Sequence, residues 1–196
     1  MRDKIFVSLG FFIPLLFWAT IISCGLATDN YSWLINTVSE LGAIGTKTQA
    51  VFTAALVTCS ILSVLFIAGL FRTAAKAGLS TIPILLILTY SFAIFGAGIF
   101  PLPLALHGQL GSPSMLLPLS PMLALILWNA EIIPGIKFYS GLILAIMLLG
   151  FLTMVPDILP DWFGLKQRFF HLGWSLWFIC LSLNFLKLRY SLRNSA

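Results

Sequence analysis

The sequence predicts an all-α bundle of six transmembrane helices, and three observations carry that prediction. Hydrophobic residues make up 60% of the chain and charged residues only 9%, whereas a soluble domain is about 45 to 50% apolar. The mean hydropathy is +1.05. The apolar residues fall in continuous runs of about 20, the length one bilayer crossing needs. The strands of a membrane β-barrel would instead alternate apolar with polar residues.

Taken in order, the crossings are expected at about 5–27, 48–71, 80–100, 114–133, 138–155 and 169–188, and together they use the whole length as one transmembrane domain. The first run follows Arg2 and Lys4 and ends near Cys24, which resembles a lipoprotein signal. Its length and its Phe and Trp content favour a first transmembrane helix. Thr46-x-x-Gln49 is a capping-box pattern that marks the start of the second helix. Small residues Ala93, Gly96, Ala97 and Gly98 suit close helix packing in the third. Pro118 and Pro121 predict a kink or a broken first turn in the fourth, near His107. Pro134-Gly135 makes a tight turn into the fifth. The polar stretch Pro156 to Arg168 reads as the link before the sixth.

The net charge of +5 is spread over chain ends and short links, which argues for membrane orientation and against nucleic acid as a partner. Arg2, Lys4, Arg72, Lys76, Lys137, Lys187, Arg189 and Arg193 fall on one face; Lys47, Lys166 and Arg168 fall on the other. The excess predicts cytoplasmic termini and a multi-pass protein of the cell membrane, the cytoplasmic membrane in a prokaryote. Trp33 and Trp162 are then expected as anchors at the outer headgroup level. Cys24, Cys59 and Cys180 lie in apolar runs and predict no disulfide framework.

Polar chemistry concentrates in Asn36-Thr37-Val38-Ser39-Glu40-Leu41-Gly42. Thr37-x-x-Glu40 fits a capping box and Gly42 a helix stop, so one reading is a single helical turn at the membrane surface. The other is a site, because a carboxylate between apolar runs needs partners. Asn36, Ser39, Glu40, His107, Asp157, Arg168 and His171 are the candidate binding residues. Glu40 is expected to be ionised and paired across the bundle with Arg168, or failing that with His107.

Several chemistries fit this set. Ser39, Glu40 and His107 are the candidates for catalysis, Ser39 as nucleophile with a histidine base, in an outer-face lipid hydrolase or transferase. No G-x-S-x-G turn accompanies them. His107, His171 and a carboxylate have the ligand types of a metal site, but without a metal-binding spacing no metal and no cofactor is assigned. Arg168 and Lys166 suit a lipid phosphate, with membrane lipids as partners and self-association left open. Glu131, placed inside the fourth helix, is the one carboxylate that a small permease could use.

Tyr31 to Gly42 ending in Ser39-Glu40-Leu41-Gly42-Ala43, Gly98-Ile99-Phe100-Pro101 leading to His107, and Gly164-Leu165-x-x-Arg168 together resemble the uncharacterised prokaryotic membrane family called domain of unknown function nine hundred and ninety-eight. The resemblance covers nearly the whole chain. It implies six helices, implies Ser39, Glu40, His107 and Arg168 as marked positions, and brings no established activity. The chain has Gln167 where that family is expected to carry an acid. A more distant similarity is to the Frag, DRAM and Sfk six-helix proteins, which implies lipid or GPI-anchor handling or membrane trafficking.

Overall fold

The computed structural model describes residues 2–194, and within them six helical segments are long and apolar enough to cross a membrane. No strand occurs among the described residues. In lipid, every backbone amide and carbonyl must be satisfied inside its own segment, and continuous helix does this for each apolar run. The first crossing is α1 (Arg2–Ala27) and the second α2 (Gln49–Lys76). The third joins α3 (Ile82–Leu85) to α4 (Ile87–Ile99). The fourth joins α5 (Ala105–Gly111) to α6 (Leu119–Leu127) through a 3-10 turn, Ser112–Leu116. The fifth is α7 (Ile136–Leu149) with the turn Gly150–Met154, and the sixth is α8 (Phe163–Asn194).

Three of the boundaries that differ from the sequence expectation move functional candidates. The fourth crossing begins at Ala105, so His107 stands in the first turn of α5 rather than in a link, and the proline break falls after it, around Ser112–Leu116. The crossing also ends at Leu127. Asn129 then accepts the Glu131 amide on its side-chain oxygen at 2.9 Å, a local bond that competes with helix. Glu131 is consequently exposed in a turn and supplies no carboxylate within the helices. The sixth helix starts at Phe163, six residues before the expected 169, because the side chains of Lys166, Gln167 and Arg168 all find partners at the end of the bundle.

Aromatic side chains fill the core: Trp128, Trp174, Trp177, Tyr90, Phe66, Phe178 and Phe185 are all almost fully buried. Hydroxyls bind the crossings together, as small polar residues do in membranes. Ser182 of α8 donates to the Val7 carbonyl at 2.7 Å, Ser60 of α2 to the Ser91 carbonyl at 2.8 Å, and Trp177 Nε1 to Ser120 Oγ at 2.8 Å. Gly10 lets α1 and α8 meet, since a Cβ there would lie 2.2 Å from Ser182 Oγ and 2.7 Å from the Phe178 carbonyl.

The links gather at two ends. At the end carrying the termini, Asp3 bridges Arg72 at 3.1 Å and Arg189 at 3.2 Å. At the opposite end the first link meets the link before α5 and the first turn of α8. The Ile44 amide donates to the Leu102 carbonyl at 2.8 Å, and the amides of Gly164 and Leu165 donate to the carbonyls of Ile35 and Leu34, each at 3.0 Å. The heptad, His107 and the start of α8 thus share one end of the bundle.

Candidate functional site

The heptad folds as a short 3-10 turn, Val38–Gly42, held by its own side chains. The Glu40 carboxylate accepts the Thr37 amide at 2.7 Å and the Thr37 hydroxyl at 2.9 Å, and its other oxygen accepts the Asn36 side-chain amide. The capping-box reading therefore holds for this stretch. Burial works against ionisation of Glu40. Those donors, with the positive charge of Arg168 nearby, outweigh it and hold the carboxyl below its ordinary range. From α8, Gln167 accepts the Val38 amide at 2.8 Å, which satisfies the first N–H of the turn. A carboxylate at position 167 would also accept this amide, but it would place a second negative charge near Glu40.

Arg168 does not form the expected ion pair with Glu40. Its guanidinium donates to the Asn36 carbonyl at 2.9 Å and to the Tyr31 hydroxyl, and it lies over the rings of Trp33 at 5.1 Å and Tyr31 at 5.6 Å. Trp33 is thereby part of this latch and is only partly exposed, whereas Trp162 is exposed. The approach requires Gly164, where a Cβ would sit 2.3 Å from the Asn36 carbonyl oxygen and 2.8 Å from Arg168 Nη1. Lys166 is 1% exposed, and its ammonium donates to the Ile158 carbonyl at 3.0 Å and the Val155 carbonyl at 3.4 Å. Lys166 is thus held by backbone carbonyls, and Arg168 by one carbonyl and the Tyr31 hydroxyl, with its Nε unpartnered among the described residues. Neither faces a cavity as a phosphate clamp would require.

Behind this brace lie two adjoining cavities of about 280 and 260 Å³. They share Ser114, Met115, Gln167, Phe170 and His171. The larger adds Ser39 and Val38 from the turn, His107 and Gly108 from α5, Tyr90 from α4 and Phe17 from α1. The smaller runs to Met154 and Phe163, which are 56% and 43% exposed; with Met115 at 44% they form its mouth. Neither α5 nor the Ser112–Leu116 turn contains a buried residue, so a single layer of chain closes the cavities on that side. No Asp, Glu, Lys or Arg lines either cavity.

The two histidines are held in opposite tautomers. His107 Nδ1 faces the carbonyl oxygens of Phe100 at 2.9 Å and Ala97 at 3.2 Å, so it carries the proton and leaves Nε2 as an acceptor. At His171 the Trp174 indole N–H donates to Nδ1 at 3.1 Å, which puts the proton on Nε2. That Nε2 is sealed from solvent and has no partner among the described residues. The hydroxyl of Tyr90, a residue 1% exposed, is in the same position.

Of the candidate residues, Ser39, His107 and His171 line the larger cavity. Asn36, Glu40 and Arg168 build the brace beside it. Asp157 lies exposed in the link before α8 and lines neither cavity. No hydrogen bond joins Ser39 to either histidine among the described residues, and no group of three His, Cys, Asp or Glu side chains there is placed to hold a metal. Tyr31 and Tyr90 escaped the sequence reading as functional residues. For Tyr90 the signal was present: a phenol in the middle of an apolar helix needs a partner for its O–H.

A family model described as "Protein of unknown function (DUF998)" matches residues 12–184. The chain belongs to this family. No curated protein and no solved structure matches it.

Proposed function

We propose that this integral membrane protein of uncharacterised family binds membrane lipid through the paired cavities, and that these face away from the cytoplasm. The orientation rests on the excess of Lys and Arg at the end carrying the termini. The lipid reading rests on one observation above the others. The cavities are apolar on most of their surface, reach the flank of the bundle at Met115, Met154 and Phe163, and contain a few convergent polar groups, which is the make-up of a site for an amphiphile. The brace of Asn36, Glu40, Gln167 and Arg168 has a supporting role: it fixes the turn that presents Ser39 and Val38 to the cavity.

The experiment is photocrosslinking in vesicles with a phospholipid carrying a diazirine on its acyl chain. Adducts at Met115, Phe163 and Phe170 support the reading. Adducts confined to outward-facing positions such as Phe12 and Leu15, which are 61% and 66% exposed, would overturn it.

One observation favours a second reading, an outer-face hydrolase or transferase. Ser39 and His107 line the same cavity, and the backbone carbonyls orient His107 so that Nε2 is left to act as a base. The carboxylate of a triad is lacking, because Glu40 is engaged by Asn36 and Thr37.

A further inference from the structure

Three polar side chains of the larger cavity, His171, His107 and Tyr90, are set in place by their surroundings. His171 presents an Nε2–H donor and His107 an Nε2 acceptor, each set by the bond its other nitrogen makes. The Tyr90 hydroxyl can act in either sense. Two of the three, His171 Nε2 and Tyr90 Oη, are shielded from solvent and unpartnered among the described residues, an arrangement that is costly in an apolar surround and that a bound polar group relieves. A carboxylate or phosphate entering here would make no ion pair with the cavity wall, since no Lys or Arg lines it. Desolvating such an anion without a partner costs far more than desolvating a hydroxyl or an ester.

We infer that the cavity selects an uncharged lipid whose head both donates and accepts hydrogen bonds, of the class of a diacylglycerol or a long-chain alcohol. The inference rests on the lipid reading above and narrows it. A hydroxyl offers the donor that His107 Nε2 accepts and an oxygen for His171 Nε2–H, while the apolar tail lies along Phe170 and Met115 toward the mouth. An anionic phospholipid satisfies the two donors but leaves its own charge unpaired.

Purified protein in detergent is titrated with dioleoylglycerol, dioleoylphosphatidylglycerol and free glycerol, with bound molecules counted by native mass spectrometry, and Tyr90→Phe is compared with the wild-type chain. Tyr90→Phe removes one oxygen and no packing. Because that oxygen has no partner, thermal stability without added lipid should not fall. The inference predicts that dioleoylglycerol binds the wild-type chain at least about tenfold more tightly than the anionic lipid, that Tyr90→Phe loses about tenfold of that affinity, and that free glycerol is not retained. Equal or tighter binding of dioleoylphosphatidylglycerol would overturn the inference and leave the lipid reading standing. Retention of neither lipid would overturn both. Glycerol binding as tightly as dioleoylglycerol would assign the site to a free polyol, and dioleoylglycerol affinity unchanged in Tyr90→Phe would remove the hydrogen-bond argument.

Discussion

Arg168 donates to the backbone carbonyl of Asn36 at 2.9 Å, across 132 positions of sequence, while the side-chain amide of Asn36 reaches the Glu40 carboxylate. The arginine and the glutamate are thus linked through a third residue and do not touch as a salt bridge. This separates two kinds of coupling. A desolvated direct pair would lose about 3 to 5 kcal/mol when one partner is removed. Here Arg168→Gln should cost about 1.5 to 3 kcal/mol for its charged hydrogen bond to Asn36. A double-mutant cycle with Glu40→Gln, read by thermal unfolding in detergent, should give a coupling energy below about 1 kcal/mol. A coupling of several kcal/mol would mean that the two charges meet directly.

Gly164 and Gly108 make a matched pair of substitutions. At Gly164 an added Cβ would strike the Asn36 carbonyl and Arg168, whereas at Gly108 it meets nothing within 4 Å. Gly164→Ala should therefore destabilise by about 2 kcal/mol or more, and Gly108→Ala, in a helix, should be neutral or stabilising by up to about 1 kcal/mol. Equal melting temperatures for the two variants would show that the brace does not depend on this approach.

Much of the fold was legible because bilayer thickness imposes one run length on every crossing. The brace was legible only in part. Thr37 and Glu40 announce a capping box locally, but the partners of Arg168 are a backbone carbonyl and a tyrosine hydroxyl, and no pairing of residue types points to a carbonyl. Polarity misled at Lys166, Gln167 and Arg168. Three polar residues in a row read as a link, yet each is satisfied at the bundle end and the helix runs through them. The cavity was the least legible feature, since its walls come from α1, α2, α4, α5, the Ser112–Leu116 turn, α8 and the first link and no one stretch of sequence carries it.

Acid should act on Glu40. Its carboxyl is held below the ordinary value of 4.5 in the folded chain, so its contribution to stability is fully present above the unfolded value and is lost as the pH falls through the folded one. Thermal stability of the wild-type chain should drop below about pH 4, and part of that drop should vanish in Glu40→Gln. An identical acid profile in the variant would assign the loss to other groups.

Topology is open to labelling, because Cys24, Cys59 and Cys180 are all buried and should stay silent. With the termini cytoplasmic, a membrane-impermeant maleimide added outside should label cysteines placed at Ile44 or Trp162, which are 53% and 42% exposed, and should miss one at Tyr190, which is 72% exposed. The reverse pattern would invert the orientation.

Ser39→Ala separates the two functional readings. If Ser39 only lines the cavity, the variant keeps the wild-type lipid retention and any lipid-dependent property. Loss of a lipid-cleaving or acyl-transfer activity by several orders of magnitude, with the fold intact, would establish serine chemistry instead.

The most direct measurement fills the cavity. Gly108 lines the larger chamber and has open space where a side chain would begin, so Gly108→Trp should occupy the volume without disturbing the bundle. With the melting temperature as a control for folding, native mass spectrometry of protein extracted from membranes should find lipid on the wild-type chain and little or none on Gly108→Trp. Lipid retained equally by a folded Gly108→Trp variant would contradict the account, since the bound molecules would then lie outside the cavity.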